Sequence, residues 1–397
     1  MSDLRGAVRL LADAVTGTTD VVEAAHAAVT RRRKVGDRKR GIAGFVYRMI
    51  RAITRGAARA ADGGLAVAER VRPDALDGAR GEIREAAVAA LNGAFGDTLA
   101  RTGNELATAT QIRYDGRPVD TGAVADPSET VLVFVHGLCM HDGQWGDDAH
   151  DPGAVLAEAL GASRLGLRYN SGRHVSDNGA EAAEALEAVV RAWPVPVRRI
   201  VVVAHSMGGL VMRSALGHAV DAGHGWPSKN VSLVCLGTPH HGSPLERVGN
   251  VVDTLLGATR WTAPYAALGQ ARSAGVTDLR FGSVAEADWV GLDRFARGPD
   301  HREPLPLPDG VAVYLVAATL GDGKNGVRDR TVGDGLVPLD SALGRHPDPA
   351  LALAVPAERQ YILPGTSHFD LIRDPEVTAR LLAWLVPSGA GPRRPPA

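Results

Sequence analysis

Along the chain, apolar and polar positions follow two regimes that change near Thr110. Before it, Leu4, Val8, Leu11 and Val15 recur at helical spacing, as do Ile42, Phe45, Val46, Met49, Ile50 and Ile53. No proline precedes Pro73 and no clear strand is visible, so residues 1–110 read as an N-terminal helical region. After Thr110, short β-branched runs alternate with helical stretches. Gln111 to Tyr114 and Thr130 to Val135 read as strands, 153–160 as a helix and 164–169 as a strand. The cluster Ser176-Asp177-Asn178 offers caps for a helix at 180–193. Strands follow at 198–204, 231–236, 311–319 and 360–363, with helices at 210–219 and 379–385. Ile200 to Val203 is apolar on both faces, the mark of a buried strand in a parallel sheet. The alternation predicts one α/β domain, residues 111–386, with a mostly parallel sheet covered by helices on both faces. Residues 245–297 interrupt it as a lid insertion, and 387–397 form a Pro/Gly/Arg tail expected to be disordered.

Composition narrows the function. A formal charge of −1 over 397 residues gives no global field for nucleic acid or acidic partners. Two cysteines, Cys139 and Cys235, both in apolar surroundings, point to buried free thiols and not to a disulfide framework. Charges scattered through the first residues argue against a secretory signal, and no run of 18 uncharged apolar residues exists to span a membrane. The expected location is therefore cytoplasmic. One local charge imbalance stands out: residues 31–59 hold eleven basic side chains against one acidic, Asp37. Arg48, Arg51, Arg55 and Arg59 flank the apolar stripe that begins at Ile42. Two readings follow, a stripe packed within the protein or a basic amphipathic helix in peripheral contact with an anionic membrane. The lid aromatics Trp261, Tyr265, Phe281 and Trp289 likewise admit two readings, an acyl-pocket lining or the lid's own core.

Candidate chemistry centres on Ala204-His205-Ser206-Met207-Gly208, set between a β-branched strand and a helix. A small residue, any residue, serine, any residue, glycine in that setting is a nucleophile elbow, which lifts Ser206 above the sheet edge. Small residues flank it because strand and helix backbones nearly touch there. Thr130 to Val135 runs into His136-Gly137-Leu138, where His136 would hold the loop and Gly137 would let it turn. The Leu138 amide would then face a developing oxyanion. A serine nucleophile needs a base, and the base an orienting carboxylate. Asp334 lies between Gly333 and Gly335 after the strand at 311–319, with Asp322, Asp329 and Asp340 as competitors. His368 follows the last strand in a short loop, Pro364-Gly365-Thr366-Ser367-His368. His205 is read as pointing away, and His240 and His241 follow the wrong strand to serve as base.

The motifs A-H-S-M-G-G, V-H-G-L, L-G-T-P-H-H-G-S-P, G-D-G-L-V-P and S-H-F-D together resemble the α/β-hydrolase lipase and esterase family. Bacterial lipase-like and GPI inositol-deacylase-like hydrolases look most similar. The resemblance spans residues 131–385 and leaves out the N-terminal helices. It implies Ser206 as nucleophile, Asp334 as orienting acid, His368 as base, and Leu138 and Met207 as oxyanion amides. The implied function is hydrolysis of small-molecule or lipid carboxylic esters through an acyl-enzyme, with no cofactor. An acyltransferase using the same residues, or a non-catalytic ligand-binding relative, are the alternatives. Some family members bind structural calcium or zinc, and His141, Asp142, Asp147, Asp148, His150 and Asp151 cluster suggestively. A solvated polar loop is the reading adopted for that cluster, with no metal.

Overall fold

The structure, a computed structural model, describes residues 73–146, 149–243, 273–296, 298–321 and 331–386. The chain divides into two compact units, residues 1–88 with 247–272 and residues 89–246 with 273–397. Of the first unit the described part, 73–88, is the start of helix α1 (Pro73–Arg101). The helical repeats within 4–15 and 42–53, the basic cluster, Trp261, Tyr265, Asp322, Asp329 and the C-terminal tail lie outside the described residues.

The second unit is organised by β1 (Gln111–Tyr114), β2 (Arg117–Pro118), β3 (Thr130–Val135), β4 (Ser163–Arg168), β5 (Arg199–His205), β6 (Asn230–Leu236), β7 (Ala312–Thr319) and β8 (Gln360–Pro364). Among the described residues these form one sheet in the order β2-β1-β4-β3-β5-β6-β7-β8. From β4 to β8 every neighbouring pair is parallel, while β1 is antiparallel to both β2 and β4. The β1–β2 hairpin turns at Asp115-Gly116, with φ of 47° and 72°, as a two-residue turn needing two left-handed residues requires. Strand β2, two residues long, has no periodicity for a sequence reading to find.

Both faces are covered. Along β3 and β5, Val131, Val133, Val135, Ile200, Val202 and Ala204 enter one core, while Leu132, Phe134, Val201 and Val203 enter the other. This two-sided burial is why these strands read as continuous apolar runs. Helices α3 (Val175–Ala192) and α4 (Met207–Asp221) cover the first face with residues such as Leu186, Leu210 and Met212. Helices α2 (Pro152–Leu160) and α5 (Pro375–Leu385) cover the second through Leu156, Leu381 and Leu385. Each fully buried large aliphatic side chain contributes about 1.5–3 kcal/mol. The chain passes from β3 to β4 on one side and returns to β5 on the other. The crevice outside the carboxyl ends of β3 and β5 is therefore a topological switch point, where open α/β sheets bind ligands.

Two expectations are corrected. Helix α3 starts at Val175, and His174 at its N-cap position makes no side-chain cap bond. Ser176, Asp177 and Asn178 fall in its first turn instead. Ser176 Oγ accepts from Trp289 Nε1 at 2.9 Å, and Asn178 Nδ2 donates to the Asn170 carbonyl at 2.9 Å. These partners outside the helix, one of them distant in sequence, take the side chains in place of local capping. The two cysteines are free; Cys235 is a buried residue, whereas Cys139 is an exposed residue whose thiol burial nonetheless pushes up to about 11. No helix among the described residues is long and apolar enough to cross a membrane.

Candidate active site

Ser206 ends β5 and opens α4 with φ 54° and ψ −124°. A non-glycine residue in such a conformation carries on the order of 1–3 kcal/mol of strain, sustained only where its surroundings hold it. Here the Ser206 amide donates to the Leu236 carbonyl at 2.8 Å, and its own carbonyl accepts from Gly209 at 3.1 Å. Crowding explains the small neighbours. A Cβ on Gly208 would stand 2.6 Å from the His136 carbonyl oxygen and 2.7 Å from that of Val135.

The loop after β3 comes alongside. A Cβ on Gly137 would lie a tight 3.1 Å from the Ser206 Cβ and from His205 Nδ1, so glycine lets the loop approach closely without displacing either. The residue that turns the loop is Cys139, with φ 60°, and Gly137 has no left-handed φ. The expectation that Gly137 supplies the turn is thus replaced by a steric one. His136 does hold the loop, and its bonds define its tautomer: Nδ1–H donates to the Gly137 carbonyl at 2.9 Å, and Nε2 accepts from the Tyr169 amide at 3.4 Å. The Tyr169 ring stacks on His136 at 4.2 Å, and its hydroxyl donates to the His136 carbonyl at 2.7 Å. Burial lowers the His136 pKa to about 4, so this neutral form persists at neutral pH. Tyr169 had no signal in the sequence beyond its place at the end of a strand.

Asp334 and His368 meet from the loops after β7 and β8. Asp334 Oδ2 accepts from His368 Nδ1 at 2.7 Å, while Oδ1 accepts from the Leu336 and Val337 amides at 3.0 and 2.9 Å. The His368 amide donates in turn to the Asp334 carbonyl at 3.1 Å. Gly333 and Gly335, with φ of 54° and 100°, let the acid loop turn back as expected. Both side chains are almost wholly buried. Asp340, a competitor for the acid, lies 3.5 Å from Arg345.

His205 departs from the expectation that it points away. Its Nε2 donates to the His368 carbonyl at 3.0 Å, and the two rings lie 4.7 Å apart. Burial first, then the neighbouring His368, holds its pKa well below the ordinary value, so it is a neutral donor. The elbow is thereby tied to the His368 loop through the residue next to Ser206. No hydrogen bond joins the Ser206 hydroxyl directly to His368; in ligand-free sites such bonds are often long and close only with substrate. The Leu138 and Met207 amides have no hydrogen-bond acceptor among the described residues, which leaves two donors beside Ser206. His240 and His241 are buried within the loop after β6, and no hydrogen bond joins either to the Asp334–His368 pair.

The suggested metal cluster is otherwise engaged in its described part. Asp142 sits between Arg113 and Arg168, Asp151 caps α2 and meets Arg164, and His150 Nε2 lies 2.7 Å from Thr378 Oγ1. Asp147 and Asp148 lie outside the described residues.

Residues 166–302 match the family model of the PGAP1-like alpha/beta domain, a span that contains the elbow and the loop after β6. This and the sheet order decide the architecture. The protein has the α/β-hydrolase fold. No curated protein matches the sequence. Among solved structures it is similar to the propeptide form of Bacillus licheniformis lipase BlEst2, at 21% identity over 73% of this chain and 56% of that one, with TM-score 0.45. The mature form of the same lipase gives 22% identity, 70% and 98% coverage and a TM-score of 0.42. Aspergillus fumigatus lipase B gives 13% identity, 68% and 54% coverage and a TM-score of 0.37. At such scores the weight for the α/β-hydrolase fold stays with the strand order and the elbow.

Proposed function

We propose that this α/β-hydrolase cleaves carboxylic esters through a covalent acyl-enzyme on Ser206. The observation that carries the reading is the buried Asp334–His368 pair, tied by His205 to a serine held in a strained elbow. In the first step Ser206 Oγ attacks the ester carbonyl carbon while His368 takes the hydroxyl proton. The carbonyl oxygen becomes an oxyanion facing the Leu138 and Met207 amides. Collapse expels the alkoxide, which takes the proton back from His368 and leaves as alcohol. Water then repeats the sequence, His368 accepting its proton and returning it to Ser206 as the carboxylic acid departs. Asp334 keeps the imidazole oriented with Nε2 available and stabilises it when charged.

Incubation with a fluorophosphonate probe, alongside turnover of p-nitrophenyl esters of graded length, tests the assignment. The native protein is expected to be labelled and Ser206→Ala is not, with turnover falling on the order of 10⁶-fold as in a comparable triad. Asp334→Asn is expected to fall by a smaller factor of about 10⁴. Equal labelling of native protein and Ser206→Ala overturns the nucleophile. Labelling without hydrolysis, but with transfer to an added alcohol, would instead identify an acyltransferase.

A further inference from the structure

We propose that Ser171 is a positioning residue for the Leu138 amide, acting through the turn at Cys139. The inference rests on the Ser206 ester chemistry, in which that amide faces the oxyanion. Residues 137–140 make a four-residue turn, closed by the Met140 amide on the Gly137 carbonyl at 3.3 Å. Its third residue, Cys139, has φ 60°. Glycine or asparagine is the usual occupant of a left-handed third position, so a cysteine there is strained. Left to itself the turn would relax towards negative φ and carry the adjoining Leu138 amide with it. Opposing this, Ser171 Oγ accepts from the Cys139 amide at 3.1 Å. The Gly137 carbonyl also accepts from His136 Nδ1 at 2.9 Å, which holds the first end of the turn. Ser171 holds the third residue.

Ser171 can anchor the turn because it is itself fixed. It is 1% exposed, and both of its chain neighbours are bound to other elements. Asn170 Nδ2 donates to the Gly96 carbonyl of α1 at 3.0 Å, and the Asn170 carbonyl accepts from Asn178 Nδ2 of α3 at 2.9 Å. The Gly172 amide donates to Asn170 Oδ1 at 3.1 Å, and the Gly172 carbonyl accepts from the Gly275 amide at 3.1 Å. Helix α1 lies so close that a Cβ on Gly172 would stand 2.0 Å from the Asn92 carbonyl oxygen. The same helix backs the turn, since a Cβ on Gly93 would stand 2.2 Å from Cys139 Sγ. The loop after β4 is thus a rest for the loop after β3. Tyr169 fixes its His136 end and Ser171 its Cys139 end.

Steady-state kinetics with p-nitrophenyl butyrate on the full chain test this, together with fluorophosphonate labelling rates and melting temperatures. Losing one oxyanion donor outright costs about 10²–10³ in kcat, and a displaced donor costs part of that. Ser171→Ala is expected to lower kcat about tenfold to a hundredfold with KM within about twofold of native, because the lost interaction belongs to the transition state. Labelling is expected to slow with kcat. Ser171→Cys keeps the size of the side chain and offers a much weaker acceptor. It is expected to behave in the same way, and it decides the matter if Ser171→Ala fails to fold. Native kcat in a folded variant, even one that melts earlier, would overturn the proposal, as would a loss carried by KM alone. A native protein that the probe does not label overturns the Ser206 reading and takes this inference with it. A labelled native protein with undiminished Ser171 variants overturns this inference alone.

Discussion

His205 occupies the variable position of the elbow, yet its Nε2 is fixed on the carbonyl of the residue proposed as base. Removing this buried donor leaves the His368 carbonyl without its partner, a loss of about 1–3 kcal/mol. If that loss falls on the position of the imidazole, His205→Phe should lower kcat by about tenfold to a hundredfold with KM little changed. His205→Gln, whose amide can still donate, should recover most of it. A His205→Phe enzyme that melts earlier but turns over normally would show a purely structural residue. At this scale the sequence was partly legible. Chain order and loop chemistry single out Ser206, Asp334 and His368, and the structure sets the last two 2.7 Å apart. The role of His205, and the stacking of Tyr169 on His136 across 33 residues, were not legible, because both depend on which loops meet in space.

The elements that read well are those whose pattern follows from burial. Strands β3, β5 and β6 feed two cores at once, so their apolar runs were unmistakable and their ends shift by a residue at most from the reading. The start of α3 differs from the reading because its polar first turn serves the Trp289 indole, 113 residues along the chain, and the Asn170 carbonyl in the preceding loop. Trp289 itself stacks on His174 at 3.7 Å, which favours packing over an acyl-pocket role for this aromatic of the 245–297 insertion. The junction of β5 and α4 yields the element-scale prediction. A methyl on Gly208 meets backbone oxygens of β3 at less than 3.0 Å, and backbone cannot swing aside as a side-chain tip can. Gly208→Ala should therefore cost about 1–3 kcal/mol, read as a lower melting temperature, and should displace the β3 loop from Ser206. An unchanged melting temperature with normal fluorophosphonate labelling would show that the junction has slack.

At the scale of the whole molecule, the buried histidines among the described residues give stability a dependence on acid. His136 and His241 have pKa values lowered to about 4, and those of His205 and His240 are held well below 6.5, in each case chiefly by burial. In the unfolded chain all four return to about 6.5. Between about pH 6.5 and pH 4 the unfolded state therefore binds more protons than the folded one, and stability rises with pH through that window. The contribution is fully present above about pH 6.5 and is lost as pH falls towards 4. His136 alone, fully buried, accounts for on the order of 3 kcal/mol across the interval. Asp278 opposes the trend, since burial raises its carboxyl, but among the described residues it is a single carboxylate against four histidines. Asp151 and Asp300, lowered overall by the arginines they meet even though burial works the other way, add losses only below the ordinary carboxylate range. Melting temperature is thus expected to fall continuously from pH 7 to pH 4.5. His136→Asn, itself destabilised at pH 7, should show a shallower slope because one of the four titrations is gone. A flat profile in the native protein, or an unchanged slope in the variant, would mean that these rings are charged in the folded state.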